Sequence, residues 1–323
     1  MRIVFRADAS PQIGTGHVMR SSVLAEEAIS RGHDCVFVGS IINLDWVTAR
    51  VSTLGFSALH QSEEEFGNNH SNDLLVIDSY TISPQSEFIR PGNWSFILSI
   101  RDDISPKYTS DVELRPSLEQ TPNLYSKPKI LSGPNFLLIR SCISKSSFYR
   151  QDNIHLRVLI VGGGADSFGF TRAISEILLE LDQNIEIHYF SNSQIASPRV
   201  SGFVFHSLGP ELDVWADKVD LVFTTASTSS FEFIAREVPT GVACAVDNQK
   251  ENYEQLGRLG VAAQIGTMDF KGEWKLDLLE IKNLVENSSR RAKLRLTTEG
   301  LIDLKGASRV VDFLEEQYRA RDE

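Results

Sequence analysis

Cysteine is scarce. The chain has three, Cys35, Cys142 and Cys244, in 323 residues. They are far apart and odd in number, which excludes a disulfide framework. Cys35 and Cys244 lie in apolar, strand-like runs and read as reduced core residues. There is no Cys-x-x-Cys pair and no His-x-x-x-His spacing, so no structural zinc site is expected. An excess of positive charge is also missing. Lys and Arg number 32 against 43 Asp and Glu, a net charge of −11, which argues against a nonspecific nucleic-acid binder. No apolar run is long enough to span a bilayer, and no basic amphipathic segment opens the chain. The first residues enter a strand and carry no secretory pattern. The expectation is a cytoplasmic monomer with no stable membrane insertion. An anionic substrate would then need a local site built from loop amides and a few basic side chains.

What is present is an alternation of strand-like and helix-like segments, which favours α/β layers with parallel sheets. Arg2–Phe5 reads as the first strand, and Val18–Arg31 as a helix stopped by Gly32. Leu74–Ile77 and Phe96–Ile100 are short apolar runs of the buried-strand type. A second series begins with a strand at Arg157–Val161 and ends in a helix at Ala307–Tyr318. The polar stretch Ser141–Asn153 separates them. The fold class is therefore α/β, with two Rossmann-like, doubly wound domains at 1–145 and 154–323. The last helix is assigned to the second domain. Two halves of similar size imply a cleft between them, where ligands usually bind.

The first loop carries the clearest chemistry. A strand ends at Arg6-Ala7-Asp8, and Gly14-Thr15-Gly16 then delivers His17 to the start of a helix that contains Arg20. A helix N-terminus has unpaired N–H groups and a partial positive charge, so it attracts phosphate. A histidine there can move protons near neutral pH. In the blander alternative the glycines only turn the chain and His17 only caps the helix.

Other loops repeat the strand–loop–helix pattern. Gly162-Gly163-Gly164-Ala165-Asp166 would let backbone amides approach an anion, or would simply form a tight turn. Ala226-Ser227-Thr228-Ser229-Ser230 sets hydroxyls and amides at a helix start, which suits a diphosphate. Glu232, one turn later, could accept from both ribose hydroxyls. Alternatively Ser229 and Glu232 form a capping box. Asp247-Asn248-Gln249 ends a strand and could be a plain Asx-type turn. Tyr80, also at a strand end, could reach a substrate oxygen or sit as an amphipathic residue at the domain edge. Asp102-Asp103 reads as loop structure and not as a metal pair.

The string Arg6-x-Asp8 followed by Ile13-Gly14-x-Gly16-His17-x-x-Arg20 resembles the N-terminal signature of PseG/SpsG-type nucleotide-sugar hydrolases. These are relatives of MurG-like glycosyltransferases with the GT-B fold. The similarity continues at Ile77-Asp78-Ser79-Tyr80, at Asp247-Asn248-Gln249, and at Asp303 to Arg309. It is looser where Ser227 and Thr228 replace glycines, where Phe231 replaces a tryptophan, and where Arg115-Pro116-Ser117 replaces an Asn-containing segment. The resemblance implies a UDP-linked deoxy-amino sugar as substrate, as in pseudaminic acid biosynthesis for cell-surface polysaccharide. It implies His17 as general base for water attack at the anomeric carbon, with Tyr80 and Asn248 beside the reacting sugar. Arg6, Asp8, Gly14, Gly16 and Arg20 would shape the substrate side of the histidine loop. Gly163, Gly164 and the 226–230 loop would hold the diphosphate, Glu232 the ribose, and Asp247 and Gln249 the strand end beside them. No cofactor and no metal are implied. Two alternatives stay open: a GT-B glycosyltransferase using the same donor, and a nucleotide-sugar-binding protein without turnover.

Overall fold

The computed structural model describes every residue except 68–69, 103–104, 123–127, 145–154, 165, 182–184, 192–193, 196–201, 210 and 321–323. Ala165, Asp103 and most of the expected linker thus lie outside the described residues. The chain divides into two compact units, Met1–Arg140 with Asp303–Glu323, and Ser141–Ile302.

The first unit is built on a sheet of β1 (Arg2–Ala7), β2 (Asp34–Val38), β3 (Ala58–His60), β4 (His70–Asp78), β5 (Trp94–Ile100), β6 (Val112–Arg115) and β7 (Lys129–Ser132). Its order is β3-β2-β1-β4-β5-β6-β7, and every pairing is parallel. A parallel sheet is covered on both faces, so its inner strands are apolar throughout. Ile3, Val4, Phe5 and Leu74 to Ile77 are accordingly fully buried. The order reverses direction between β1 and β4. In open α/β sheets the crevice outside the carboxyl ends of the strands at such a reversal is where ligands bind.

The second unit repeats the plan with β8 (Leu156–Val161), β9 (Ile185–Ser191), β10 (Phe203–Ser207), β11 (Leu221–Thr225), β12 (Thr240–Cys244), β13 (Ala263–Met268) and β14 (Trp274–Leu276). The order is β10-β9-β8-β11-β12-β13-β14, with only the β13–β14 pairing antiparallel among the described strands. Its reversal falls between β8 and β11. Strands β6, β7 and β14 are only three or four residues long, too short for their residue pattern to mark them in the sequence.

One domain assignment changes. The last helix, Gly306–Arg319, belongs to the first unit and not to the second. Its apolar stripe of Val310, Val311 and Leu314 is buried there. Arg31 Nη1 donates to Asp312 Oδ1 at 2.6 Å, and His33 Nε2 meets Glu315 Oε1 at 2.9 Å. Gly306 approaches so closely that a Cβ would lie 2.0 Å from the Leu137 carbonyl oxygen. An amphipathic helix shows which face it buries, but not which of two sheets receives it.

Cys35 and Cys244 are buried and free, and Cys142 is exposed. Burial pushes the Cys35 thiol up to about 12, which makes it an inert core residue. Among the described residues no helix is long and apolar enough to cross a membrane.

Candidate active site

In the first unit the site grows from the carboxyl ends of β1 and β4. After β1 the chain must turn back into a helix within a few residues. Gly14 makes the turn with φ +86°, and its N–H donates to the Ser10 carbonyl at 2.7 Å. The helix then runs Gly16–Ser30, two residues earlier than periodicity alone suggests. Thr15 is its N-cap but supplies no side-chain cap.

His17 is 3 % exposed, so it is an interior residue and not a loop-surface one. Its Nδ1 lies 2.5 Å from Asp78 Oδ1, at the end of β4. Arg20, one turn along the helix, donates to the same carboxylate through Nε at 2.9 Å and Nη2 at 2.7 Å. Asp78 is fully buried. Burial alone would raise its pKa, but the charge of Arg20 and the hydrogen bonds from Arg20 and His17 outweigh it and hold the carboxyl below the usual range. The His17 tautomer follows. Ionised Asp78 can only accept and Arg20 can only donate, so the proton on Nδ1 goes to Asp78. The 3.1 Å approach of Arg20 Nη2 to Nδ1 is then a contact without a hydrogen bond. Neutral His17 is left with an unprotonated Nε2, which has no hydrogen-bond partner among the described residues. That is the arrangement of an oriented general base.

Tyr80 packs edge-on against the His17 ring, with ring centroids 4.2 Å apart and planes at 90°. Its hydroxyl donates to Asp102 Oδ2, while Asp102 Oδ1 accepts from the Ser105 N–H at 3.1 Å and hydroxyl at 2.8 Å. The turn that carries Tyr80 is braced twice. Ser79 Oγ accepts from the Thr81 N–H at 3.0 Å, and the Tyr108 hydroxyl donates to the Ser79 carbonyl at 2.9 Å. Burial pushes the Tyr108 phenol up to about 12, so it stays a donor.

Arg6 and Asp8 are spent on the loop itself. Arg6 pairs with Asp8 at 2.7 Å and with Glu63. Asp8 Oδ1 accepts from the Ser40 N–H at 2.9 Å, and Oδ2 from Thr81 Oγ1 at 2.8 Å. Burial raises the Asp8 pKa, but Arg6 and these bonds win and lower it. The pair locks the β1 loop to the turn after β4 and to the residue after Gly39. At Gly39 (φ +152°) a Cβ would lie 1.8 Å from the Ala7 carbonyl oxygen, so the crossing beside β1 needs glycine.

In the second unit the two loops at the sheet reversal meet. A Cβ at Gly163 (φ +85°) would lie 3.7 Å from Thr225 Oγ1 and 3.8 Å from Ser227 Oγ. Asp166 closes the first loop by accepting from Ser191 Oγ at 2.9 Å and the Thr171 N–H at 3.3 Å. The helix Thr228–Ala235 is capped by Ser227, whose side chain accepts no helix N–H. The Ser229–Glu232 capping box is therefore not formed, since the helix starts earlier than that box requires. Ser227, Thr228 and Ser229 are part-exposed around the first turn. Ser230 is fully buried and gives its hydroxyl to the Ser227 carbonyl at 2.7 Å, and Ala226 is buried beside it. Glu232 lies one turn further on, half-buried. Gln249 Oε1 accepts from the Ala245 N–H at 2.9 Å, which shapes the strand end. Asp247 is exposed and pairs with Lys250 at 2.8 Å, and Asn248 between them is half-buried. An open hollow of about 920 Å³ elsewhere on this unit, lined by Ile177, Tyr253, Trp274 and others, includes none of these residues. No group of three or more His, Cys, Asp or Glu among the described residues is placed to hold a metal ion.

Sequence reasoning missed Asp78 as a partner of His17, and Asp102, Ser105 and Tyr108 behind Tyr80. Only the Ile77-Asp78-x-Tyr80 string hinted at the first of these.

Comparison with known proteins bears on this architecture. Solved structures that superpose on 98 % of the chain include the glycosyltransferase of kitacinnamycin, with TM-score 0.67, 13 % identity and 98 % of that chain covered. Another is MurG of Acinetobacter baumannii, with TM-score 0.64, 13 % identity and 99 % of that chain covered. The fold is GT-B. Spinosyn rhamnosyltransferase SpnG, solved with thymidine diphosphate, matches this GT-B chain with TM-score 0.63 and 12 % identity. In sequence, a 115-residue stretch is 34 % identical to UDP-2,4-diacetamido-2,4,6-trideoxy-beta-L-altropyranose hydrolase of Campylobacter jejuni. That stretch is 33 % of this chain and 39 % of the hydrolase, and it matches the resemblance seen in the motifs. No family model matches the chain.

Proposed function

We propose that this GT-B protein hydrolyses a UDP-linked amino- or deoxy-sugar, releasing UDP and the free sugar. The observation that carries the reading is the buried Asp78–His17 pair, which orients an imidazole with its Nε2 unprotonated. His17 takes a proton from water as the water attacks the anomeric carbon, and direct attack inverts the centre. Tyr80 contacts the sugar. Arg20 holds Asp78, and Arg6 and Asp8 hold the loop. In the second unit the amides around Gly163, Gly164 and Ser227 to Ser229 stabilise the departing diphosphate, a large effect when donors are preorganised. Asn248, with Asp247 and Gln249 shaping its turn, is assigned to the sugar.

The partial match to the altropyranose hydrolase supports an amino-sugar substrate and water as nucleophile. The structural neighbours are glycosyltransferases, so the competing reading has the same base activating an acceptor hydroxyl. Incubating the purified protein with UDP-sugars and no acceptor tests the choice. Release of UDP with free sugar supports hydrolysis, and turnover only on adding an acceptor supports transfer.

Glu232 is assigned to the ribose hydroxyls. Glu232→Ala is expected to weaken UDP binding by about 1–3 kcal/mol, the usual loss for hydrogen bonds to a charged group. Calorimetry with UDP checks this, and an unchanged affinity removes the assignment.

A further inference from the structure

A second cluster of charge stands at the carboxyl edge of the first unit's sheet, and the mechanism above does not use it. β5 pairs with β4 on one side and β6 on the other, with Ile77 opposite Ser99 and Ile100 opposite Leu114. Arg101 and Arg115 therefore stand one residue beyond the level of Asp78, at the carboxyl ends of the two strands that follow β4 in the sheet. Glu113 lies between them. Its Oε1 accepts from Arg101 Nη1 at 2.5 Å, and its Oε2 accepts from Arg115 Nη2 at 2.9 Å and Nε at 3.2 Å. The two guanidiniums and one carboxylate leave a single positive charge uncompensated within the trio.

Both arginines have donors left over. The Arg101 side chain is 7 % exposed, and its Nε is buried with no hydrogen-bond partner among the described residues. Asp102, the next residue, spends its oxygens on Tyr80 and Ser105. The Arg115 side chain is 36 % exposed. Glu113 occupies its Nε–Nη2 edge, so the Nη1–Nη2 edge remains open. That edge presents parallel N–H donors, the geometry that recognises a carboxylate with two hydrogen bonds. Glu113 holds Arg115 in place, so little side-chain freedom is lost on binding.

We propose that Arg115, held by Glu113 and backed by Arg101, is a subsite for a carboxylate on the sugar ring, so that the UDP-linked amino sugar also carries a ring carboxylate, which the uronates below stand in for. The inference rests on the nucleotide-sugar reading above and narrows it to an anionic sugar.

The test compares binding of UDP, UDP-glucuronate, UDP-galacturonate, UDP-glucose and UDP-galactose by calorimetry at fixed ionic strength. Each uronate differs from its hexose only in a carboxylate at C6. The wild-type protein is expected to bind a uronate about tenfold or more tighter than its hexose, as for a charge-assisted paired bond. Arg115→Gln should erase that difference. Arg115→Lys, which keeps the charge without the forked edge, should fall between. Equal wild-type affinities for uronate and hexose, with UDP bound, overturn the subsite without any variant having to fold. A preference that survives in Arg115→Gln removes Arg115 from it. Failure of the wild-type protein to bind UDP overturns the nucleotide-sugar reading, and this inference with it.

Discussion

His17→Gln is expected to lower turnover of a nucleotide sugar by about a hundredfold or more, the typical contribution of general base catalysis. Glutamine can still donate to Asp78 but offers no basic nitrogen where Nε2 stands. The cost in stability is smaller but not nil, because His17 is interior. Its bond to Asp78 is one of three on that carboxylate, and Arg20 keeps the other two. Even complete loss of that bond, from a charged acceptor that retains its other partners, would cost only about 1–2 kcal/mol, and a glutamine that still donates to Asp78 costs less. Steady-state kinetics beside a melting curve separates the two effects. A variant that keeps more than about a tenth of wild-type turnover is incompatible with His17 as the base.

Asp78→Asn has the larger combined effect. Arg20 donates to both carboxylate oxygens, so an amide NH₂ at either position meets an arginine N–H, and an NH₂ at the Oδ1 position faces His17 Nδ1 as a donor. The imidazole must then accept at Nδ1 and carry its proton on Nε2, the wrong place for a base. The same change in the serine protease triad costs about 10⁴ in turnover. Asp78→Ala leaves the buried Arg20 cation without its partner and should cost about 3–5 kcal/mol. The folded Asp78 pKa is lowered, so the stability it contributes is fully present above the unfolded value of about 4 and is lost as pH falls through the folded value. Asp78→Ala should therefore flatten the acid limb of a stability–pH curve. If Asp78→Asn has wild-type activity, the pair is structural only.

The sequence showed the local parts of this site because local rules produce them. The apolar run Ile3-Val4-Phe5 dictates a buried strand, and Gly14 fills a backbone position with φ +86° that favours glycine. His17 at the start of a helix follows from the same few residues. The Asp78 contact does not, because it joins residues 61 apart that meet only when β4 pairs with β1. Arg101 and Glu113 were hidden for a different reason. Arg101 follows the apolar strand β5 and Glu113 lies within the four-residue β6, and their pairing needs the β5–β6 register. The closing helix showed its apolar stripe clearly. Its partner surface, beside the helix Gly16–Ser30 and β5, depends on the chain crossing back to the first unit. The Ser229–Glu232 cap had the right spacing, but the helix begins after Ser227.

The most direct test of the central claim is turnover of a UDP-sugar in oxygen-18 water with no acceptor present. Water attack at the anomeric carbon predicts one labelled oxygen on C1 of the released sugar and unlabelled UDP. Label in the UDP phosphate, or product that forms only when an acceptor is added, would contradict it.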